Sequence, residues 1–268
     1  MSMCGVGKNG PAAVFMAVPE EAEPFVRMCG SNMKMGAALN GMGRFSPLVW
    51  HLKVGEKPVL LCLGGMGAER IMASCRTVIS RFRPSFLISA GLCGALSPSL
   101  KTGDIAGASY LANSVYPQPS EIGLRAFEAA AGACRREKEA CNFNTFSGKL
   151  ITSAKVAGTV AAKAGLRSKF GADIVDMEAG GIACAAGSAG LGWGAVKAVS
   201  DEASFCMPLD FNDFVDEDSG LADKTGIVLE ALKRPAIIAK LCRLSGNTAK
   251  ASRSLAKFLA FYIANLEY

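Results

Sequence analysis

Between Asp173 and Ser204, two acidic clusters bracket a run that carries almost no charge, and this stretch most constrains what the chain can fold into. The first cluster, Asp173, Asp176 and Glu178, surrounds and follows Ile174-Val175. The second, Asp201-Glu202, follows the short β-branched segment from Val196 to Val199. Residues 179–190 between them are mostly Ala and Gly, and are long enough for a helix. Side chains this small let a helix pack very close to a sheet. The pattern predicts a β–α–β unit with carboxylates at the carboxyl ends of both strands, where open α/β sheets bind ligands. Taken alone, the stretch also fits two solvated acidic loops, because carboxylates normally face water.

The rest of the chain extends this alternation. Residues 12–18 read as a first strand, running into Pro19-Glu20-Glu21-Ala22-Glu23, whose acids suit a helix N-terminus. Residues 45–53 and 58–63 read as a strand pair, ending in Gly64-Gly65-Met66-Gly67 before a helix over about 68–82. Glycines between a strand and a helix can bring backbone amides to an anion, which makes Gly67 and Arg70 candidate anion ligands; the lysine and hydroxyl of a P-loop are absent. Residues 86–90 read as a buried strand closed by a glycine turn at Gly91-Leu92-Cys93-Gly94. Further strands are expected through about 112 and over 148–153, with helices over 122–141 and 154–170. An aromatic and acidic loop spans 205–220, and helices over 221–244, interrupted at Pro235, and 247–266 close the chain. We expect one domain over 1–268, an α/β fold of three layers (α/β/α) with a mixed, mostly parallel sheet covered on both faces.

Composition excludes several classes. Ten scattered cysteines without C-x-x-C pairs read as reduced thiols of a cytoplasmic protein, and no apolar run reaches transmembrane length. The single histidine, His51, lies among Val49, Trp50 and Leu52 and reads as structural, so chemistry built on a histidine base is not expected. There is no metal-ligand spacing and no cofactor fingerprint, so neither a metal nor a cofactor is expected. The net charge of +6 is confined to residues 231–268, which hold seven Lys or Arg against Glu267; residues 1–230 carry 22 of each sign.

Val175-Asp176-Met177-Glu178 and Val199-Ser200-Asp201 resemble the V-D-M-E and I-S-D motifs of the nucleoside phosphorylase and nucleosidase family. Gly91 to Leu96 with Gly103-Asp104-Ile105 is similar to that family's glycine turn and G-D-I, and Ala17-Val18-Pro19-Glu20-Glu21 to the amino-terminal A-M-E-E-E of the methylthioadenosine/S-adenosylhomocysteine nucleosidases. The resemblance covers roughly residues 12–205 and implies a phosphorylase/hydrolase-like fold acting on a purine nucleoside. It implies that Asp201 protonates N7 of the leaving base and that Ser200 helps hold that base. Glu178 would take the ribose hydroxyls, Met177 would pack on the sugar, and Glu21 would activate water or orient the nucleophile. Val175, Gly91, Leu92 and Cys93 would line the substrate. This chemistry wants an acid at the leaving group and carboxylates near an oxocarbenium-like sugar. The chain departs from the pattern at Lys197, which takes a basic place usually held by arginine, at Ala154, where a carboxylate is missing, and at Leu92-Cys93, which replace smaller residues. Phosphorolysis would need a dianion site with arginine, for which Arg70 is the only placed candidate; Glu21 near the nucleophile would repel phosphate, which favours hydrolysis.

The last helix carries an apolar stripe, Leu255, Phe258, Leu259, Tyr262, Ile263 and Leu266, opposite Lys250, Arg253 and Lys257. It reads either as a helix packed on the domain or as a segment meeting an anionic membrane, which would place the protein at the inner face of the membrane. Residues 231–257 also look like the ending of the hopanoid-associated phosphorylase branch, whose members are linked to removing adenine from adenosylhopane. The family resemblance further implies a homo-oligomer, at least a dimer. Nucleic acid is not expected as a partner, because the basic tail lacks interleaved stacking aromatics.

Overall fold

The computed structural model describes residues 10–30, 37–38, 47–112, 115–137, 139, 141–214 and 223–267. In chain order these form β1 (Ala12–Met16), α1 (Pro19–Met28), β2 (Ala37–Ala38), β3 (Leu48–Val54), β4 (Lys57–Leu63), α2 (Ala68–Phe82), β5 (Phe86–Ala95) and β6 (Ile105–Leu111). They continue with α3 (Glu121–Arg136), β7 (Thr145–Thr152), α4 (Val160–Phe170), β8 (Ile174–Asp176), α5 (Ala179–Ala189), β9 (Gly192–Asp201), α6 (Lys224–Lys233) and α7 (Ile238–Ala264). Parts of the expected first hairpin strand (45–46), of the acidic loop (215–220) and of the following helix (221–222) lie outside the described residues.

The strands form a nine-stranded sheet in the order β2-β3-β4-β1-β5-β8-β7-β6-β9, and β9 also pairs with β5. That extra pairing closes β5, β8, β7, β6 and β9 into a ring attached to an open sheet. Five of the nine pairings are parallel and four antiparallel. The β–α–β expectation needs correcting here. β8 and β9 are not neighbours; β8 runs antiparallel to β5 (Val175 opposite Gly94) while β9 runs parallel to it (Leu92 opposite Ala198). Both carboxyl ends still converge, because β8 crosses β5 just where β9 ends.

Period-two alternation separates two cores. Ala12, Val14 and Met16 of β1 face one cluster with α1, α3 and α7; Ala13 and Phe15 face the other with α2 and α5. This gives the three layers expected. The small residues of α5 permit its closest approach to α2, not to the sheet: a Cβ at Gly181 would lie 2.0 Å from the Ala68 carbonyl oxygen.

Several boundaries differ from the sequence reading: α3 ends at Arg136 rather than near 141, and β7 begins at Thr145 rather than 148. The glycine turn at Gly91 to Ala95 is part of β5, since glycine fits where a strand must admit a neighbouring side chain. Residues 154–159 precede α4, whose first amides are capped by Thr159 accepting from Ala162 N at 3.1 Å. Beyond Pro235 one helix runs unbroken through Ser245-Gly246 to Ala264. Its apolar stripe is fully used: Leu255, Phe258, Leu259, Tyr262, Ile263 and Leu266 are each at most 1% exposed. At roughly 1.5–3 kcal/mol per buried side chain, this packing decides the helix's orientation. Lys250, Arg253 and Lys257 remain on the exposed face. Among the described residues no helix is long and apolar enough to cross a membrane, and the nine described cysteines are unpaired.

Candidate active site

The carboxyl ends of β1, β5, β8 and β9 surround a cavity of about 170 Å³, lined by Glu21, Leu92, Cys93, Val175, Met177, Glu178, Ser200 and Asp201 among others. A single water needs roughly 10–15 Å³ by this kind of measure, so the space is of ligand size. Most of the sequence-derived candidates therefore meet in one place. Gly91 sits behind Glu21 rather than on the wall, and Gly67 and Arg70 are not among the lining residues.

Glu21 lies in the first turn of α1, 7% exposed. Its Oε2 accepts from Ala17 N (2.9 Å) and Val18 N (3.4 Å), and its Oε1 from Leu92 N (2.8 Å). Burial raises its pKa above the ordinary carboxyl value, against the pull of the Leu92 amide and the charge of Lys197. The approach requires glycine on β5. Gly91 has φ +154°, and a Cβ there would lie 3.0 Å from Glu21 Oε1. Three residues further along β5, a Cβ at Gly94 would lie 3.2 Å from Asp201 Oδ2.

Glu178 precedes α5, with Oε1 accepting from Gly67 N at 3.1 Å and Oε2 from Met177 N at 3.3 Å. The glycine loop after β4 thus gives its Gly67 amide to a carboxylate of the chain itself. Burial, and then the neighbouring Asp176 charge, push Glu178 up to about 7. Asp176 also borders the cavity, but its carboxylate is engaged within the chain. It accepts from Thr152 Oγ1 (2.8 Å) and Ala179 N (2.9 Å) and pairs with Lys197 Nζ at 2.8 Å, both side chains at most 1% exposed. Burial alone would lower the Lys197 pKa, but Asp176 and Glu178 outweigh it and raise it. Lys197 is therefore a fixed buried cation among three carboxyl groups.

Asp201 ends β9, 2% exposed. Its Oδ1 lies 2.7 Å from Ser200 Oγ, whose single proton serves either that oxygen or the Cys93 carbonyl at 3.2 Å. Its Oδ2 accepts from Lys163 Nζ in an ion pair whose side chains are 1% and 3% exposed. Lys163 also donates to the carbonyls of Glu202 (2.7 Å) and Phe205 (3.3 Å). The sequence reading missed this lysine. It stands in the first turn of α4 among alanines, 38 residues from its partner, with no local motif around it. The one signal available was a cation at a helix N-terminus, where the helix dipole disfavours it.

The rim comes from two loops sewn together. Val156 N donates to Asn212 Oδ1 at 2.8 Å and Met207 N to the Gly158 carbonyl at 2.8 Å, which sets Val156, Ala157 and Met207 over the cavity. Asp104 is structural: it accepts from Lys101 N at 2.8 Å and from Asn144 N at 3.2 Å, closing the turn before β6. His51 packs edge-on to Phe82, 5.4 Å between ring centroids, on a strand that contributes nothing to the cavity.

The family model of the phosphorylase superfamily matches residues 11–234. The chain belongs to that superfamily. Within it the similarity is to nucleosidases, which supports an enzyme of glycosyl-bond cleavage. It is 23% identical over 214 residues to the aminodeoxyfutalosine nucleosidase of Campylobacter jejuni, covering 76% of this chain and 90% of that one. It is 26% identical over 182 residues to the 5′-methylthioadenosine/S-adenosylhomocysteine nucleosidase of Staphylococcus saprophyticus, covering 62% and 78%. Among solved structures, a Helicobacter pylori nucleosidase variant holding 5′-methylthioadenosine in its active site superposes with TM-score 0.69 at 16% identity, covering 96% of this chain and 99% of that one. The Neisseria meningitidis nucleosidase in complex with methylthio-immucillin-A gives 0.68 at 20%, covering 95% and 98%. At these identities the solved structures speak for the fold alone.

Proposed function

We propose that this protein hydrolyses the N-glycosidic bond of a purine nucleoside and releases adenine from a 5′-modified adenosine such as adenosylhopane. The observation that carries this reading is the convergence of Glu21, Glu178 and Asp201 on one buried cavity. Asp201, oriented by Ser200, delivers a proton to N7 so that the base departs neutral. Glu178 accepts from the ribose hydroxyls, with Met177 against the sugar. Glu21 takes a proton from the attacking water. Ionised carboxylates around a cationic sugar stabilise the transition state electrostatically. The apolar rim of Val156, Ala157 and Met207 suits a 5′ substituent that is itself apolar.

Phosphorolysis is the competing reading. Against it, the Gly67 amide is already engaged by Glu178, and Arg70 stands outside the cavity wall. Adenine release from adenosine, 5′-methylthioadenosine and an adenosine with a long apolar 5′ chain, each with and without phosphate, tests the proposal. We expect phosphate-independent release, fastest with the apolar chain; strict phosphate dependence would replace hydrolysis by phosphorolysis.

A lipid-tailed substrate would be presented at a membrane. The stripe of α7 is consumed in the core, so the surface we assign to that contact is α6 with the start of α7. There Val228, Leu229, Leu232 and Ile238 are 56%, 54%, 68% and 43% exposed beside Lys233, Arg234, Lys240 and Arg243. Co-sedimentation with phosphatidylglycerol vesicles, reduced in Leu229→Ser/Leu232→Ser and absent with phosphatidylcholine, is the expected result; no binding by the intact protein removes the idea. The protein is also read as a homo-oligomer, at least a dimer, and a monomer by sedimentation velocity would overturn that.

A further inference from the structure

We propose that Lys163 is a positioning residue for base departure: it holds the Asp201 carboxylate by Oδ2 and supplies, through it, the proton that the purine takes at N7. This deepens the proposed function and rests on it. A carboxylate can hand over a proton only if it has one. In this site the Asp201 carboxylate is ion-paired with the Lys163 ammonium group, and both side chains are buried. The ammonium's three protons have three acceptors, Asp201 Oδ2 and the carbonyls of Glu202 and Phe205. Lys163 is thus held with one N–H aimed at the oxygen that must be reloaded.

The step balances as follows. The C1′–N9 bond breaks and its electron pair stays on the purine. As N7 becomes basic it takes a proton from Asp201, and Asp201 takes one from Lys163 Nζ, leaving a neutral amine. Water adds to C1′ and loses its proton to Glu21. After release, solvent exchange returns a proton to Lys163 and removes one from Glu21. Lys163 also ties the loop after β9 to α4 through the Glu202 and Phe205 carbonyls, but a buried ion pair seldom adds stability over apolar residues of the same volume, so folding alone does not account for its charge against Asp201.

The ionisable groups around the pair come from every side. Cys93 lies on β5, Asp176 ends β8, Lys197 lies on β9, and Lys155 and Glu202 belong to the flanking loops. Burial raises the Cys93 thiol pKa well above its ordinary value, so Cys93 is no rival proton source near neutrality. Glu202 is turned outward to Lys101 Nζ at 3.3 Å.

The test uses leaving-group dependence. 4-Nitrophenyl riboside departs as a stable phenolate and needs no proton, whereas adenosine does. Lys163→Met should lose at least about 100-fold in kcat/KM for adenosine near pH 8, the scale of general-acid catalysis, and less than about 3-fold for the nitrophenyl riboside. The adenosine loss should shrink as pH is lowered, because solvent then supplies the proton that Lys163 no longer delivers. Lys163→Gln, which can still donate to the Glu202 and Phe205 carbonyls, should behave the same way if the methionine variant does not fold. Equal losses on both substrates at every pH would overturn the proposal, as would full adenosine activity in either variant. If the wild-type protein cleaves neither substrate, the nucleosidase reading itself fails and takes this step with it.

Discussion

Replacing Lys197 by methionine should damage the site through charge alone. Lys197 and Asp176 pair at 2.8 Å with neither side chain more than 1% exposed, and methionine fills a similar length without the cation. Removing one partner of such a pair leaves a buried, uncompensated carboxylate, which costs about 3–5 kcal/mol. For a domain of this size each kcal/mol moves Tm by about 2–4 °C, so a fall of about 6–20 °C is expected. A second effect follows from the same charge. Lys197 is what holds Glu178 down against burial and Asp176, so without it Glu178 should titrate above its present value of about 7. The acid limb of the pH–rate profile should shift upward in Lys197→Met. Differential scanning calorimetry on Lys197→Met and on Lys197→Met/Asp176→Asn checks the first claim. The double variant removes the Asp176 charge that the single variant leaves without its ion-pair partner, and should recover most of the loss. If the single variant melts with the wild type, or if the double is no better than the single, the charge argument is wrong.

Two other predictions concern single carboxylates. Gly91→Ala would place a Cβ 3.0 Å from Glu21 Oε1 at a backbone φ of +154°; kcat/KM should fall about 100-fold, the scale of a misplaced catalytic group, with about 1–3 kcal/mol lost from stability, both read from steady-state rates and melting. Glu178→Gln should abolish the acid limb through which activity rises near pH 7. Because the folded state raises the Glu178 pKa from 4.5 to about 7, its stabilising proton is fully present below about pH 4.5 and lost as pH rises through about 7. The glutamine variant should therefore melt above the wild type at about pH 8 and gain nothing at about pH 4; a uniform shift at both would count against it.

Much of this was legible in the sequence, and for identifiable reasons. The bounds of α2 follow from Gly67 at its start and a regular apolar period, both local signals. The converging carboxylates were legible because each follows a short β-branched run. The glycines of β5 misled because Gly91 and Gly94 look like a turn, while their real use is to let Glu21 and Asp201 come close. Ser245-Gly246 looked like a helix break, yet an exposed glycine costs a 27-residue helix only about 1 kcal/mol, which packing further along the helix outweighs. The antiparallel crossing of β8 over β5, and the reach of Lys163 to Asp201, depend on contacts between distant segments that no periodicity records.

The central claim is tested most directly by adenine release from purine nucleosides in phosphate-free buffer, comparing wild type with Asp201→Asn. The account predicts release by the wild type without phosphate and a loss of at least about 100-fold in the asparagine variant, the scale of a missing general acid. No release from any purine nucleoside, or equal release by Asp201→Asn, would contradict it.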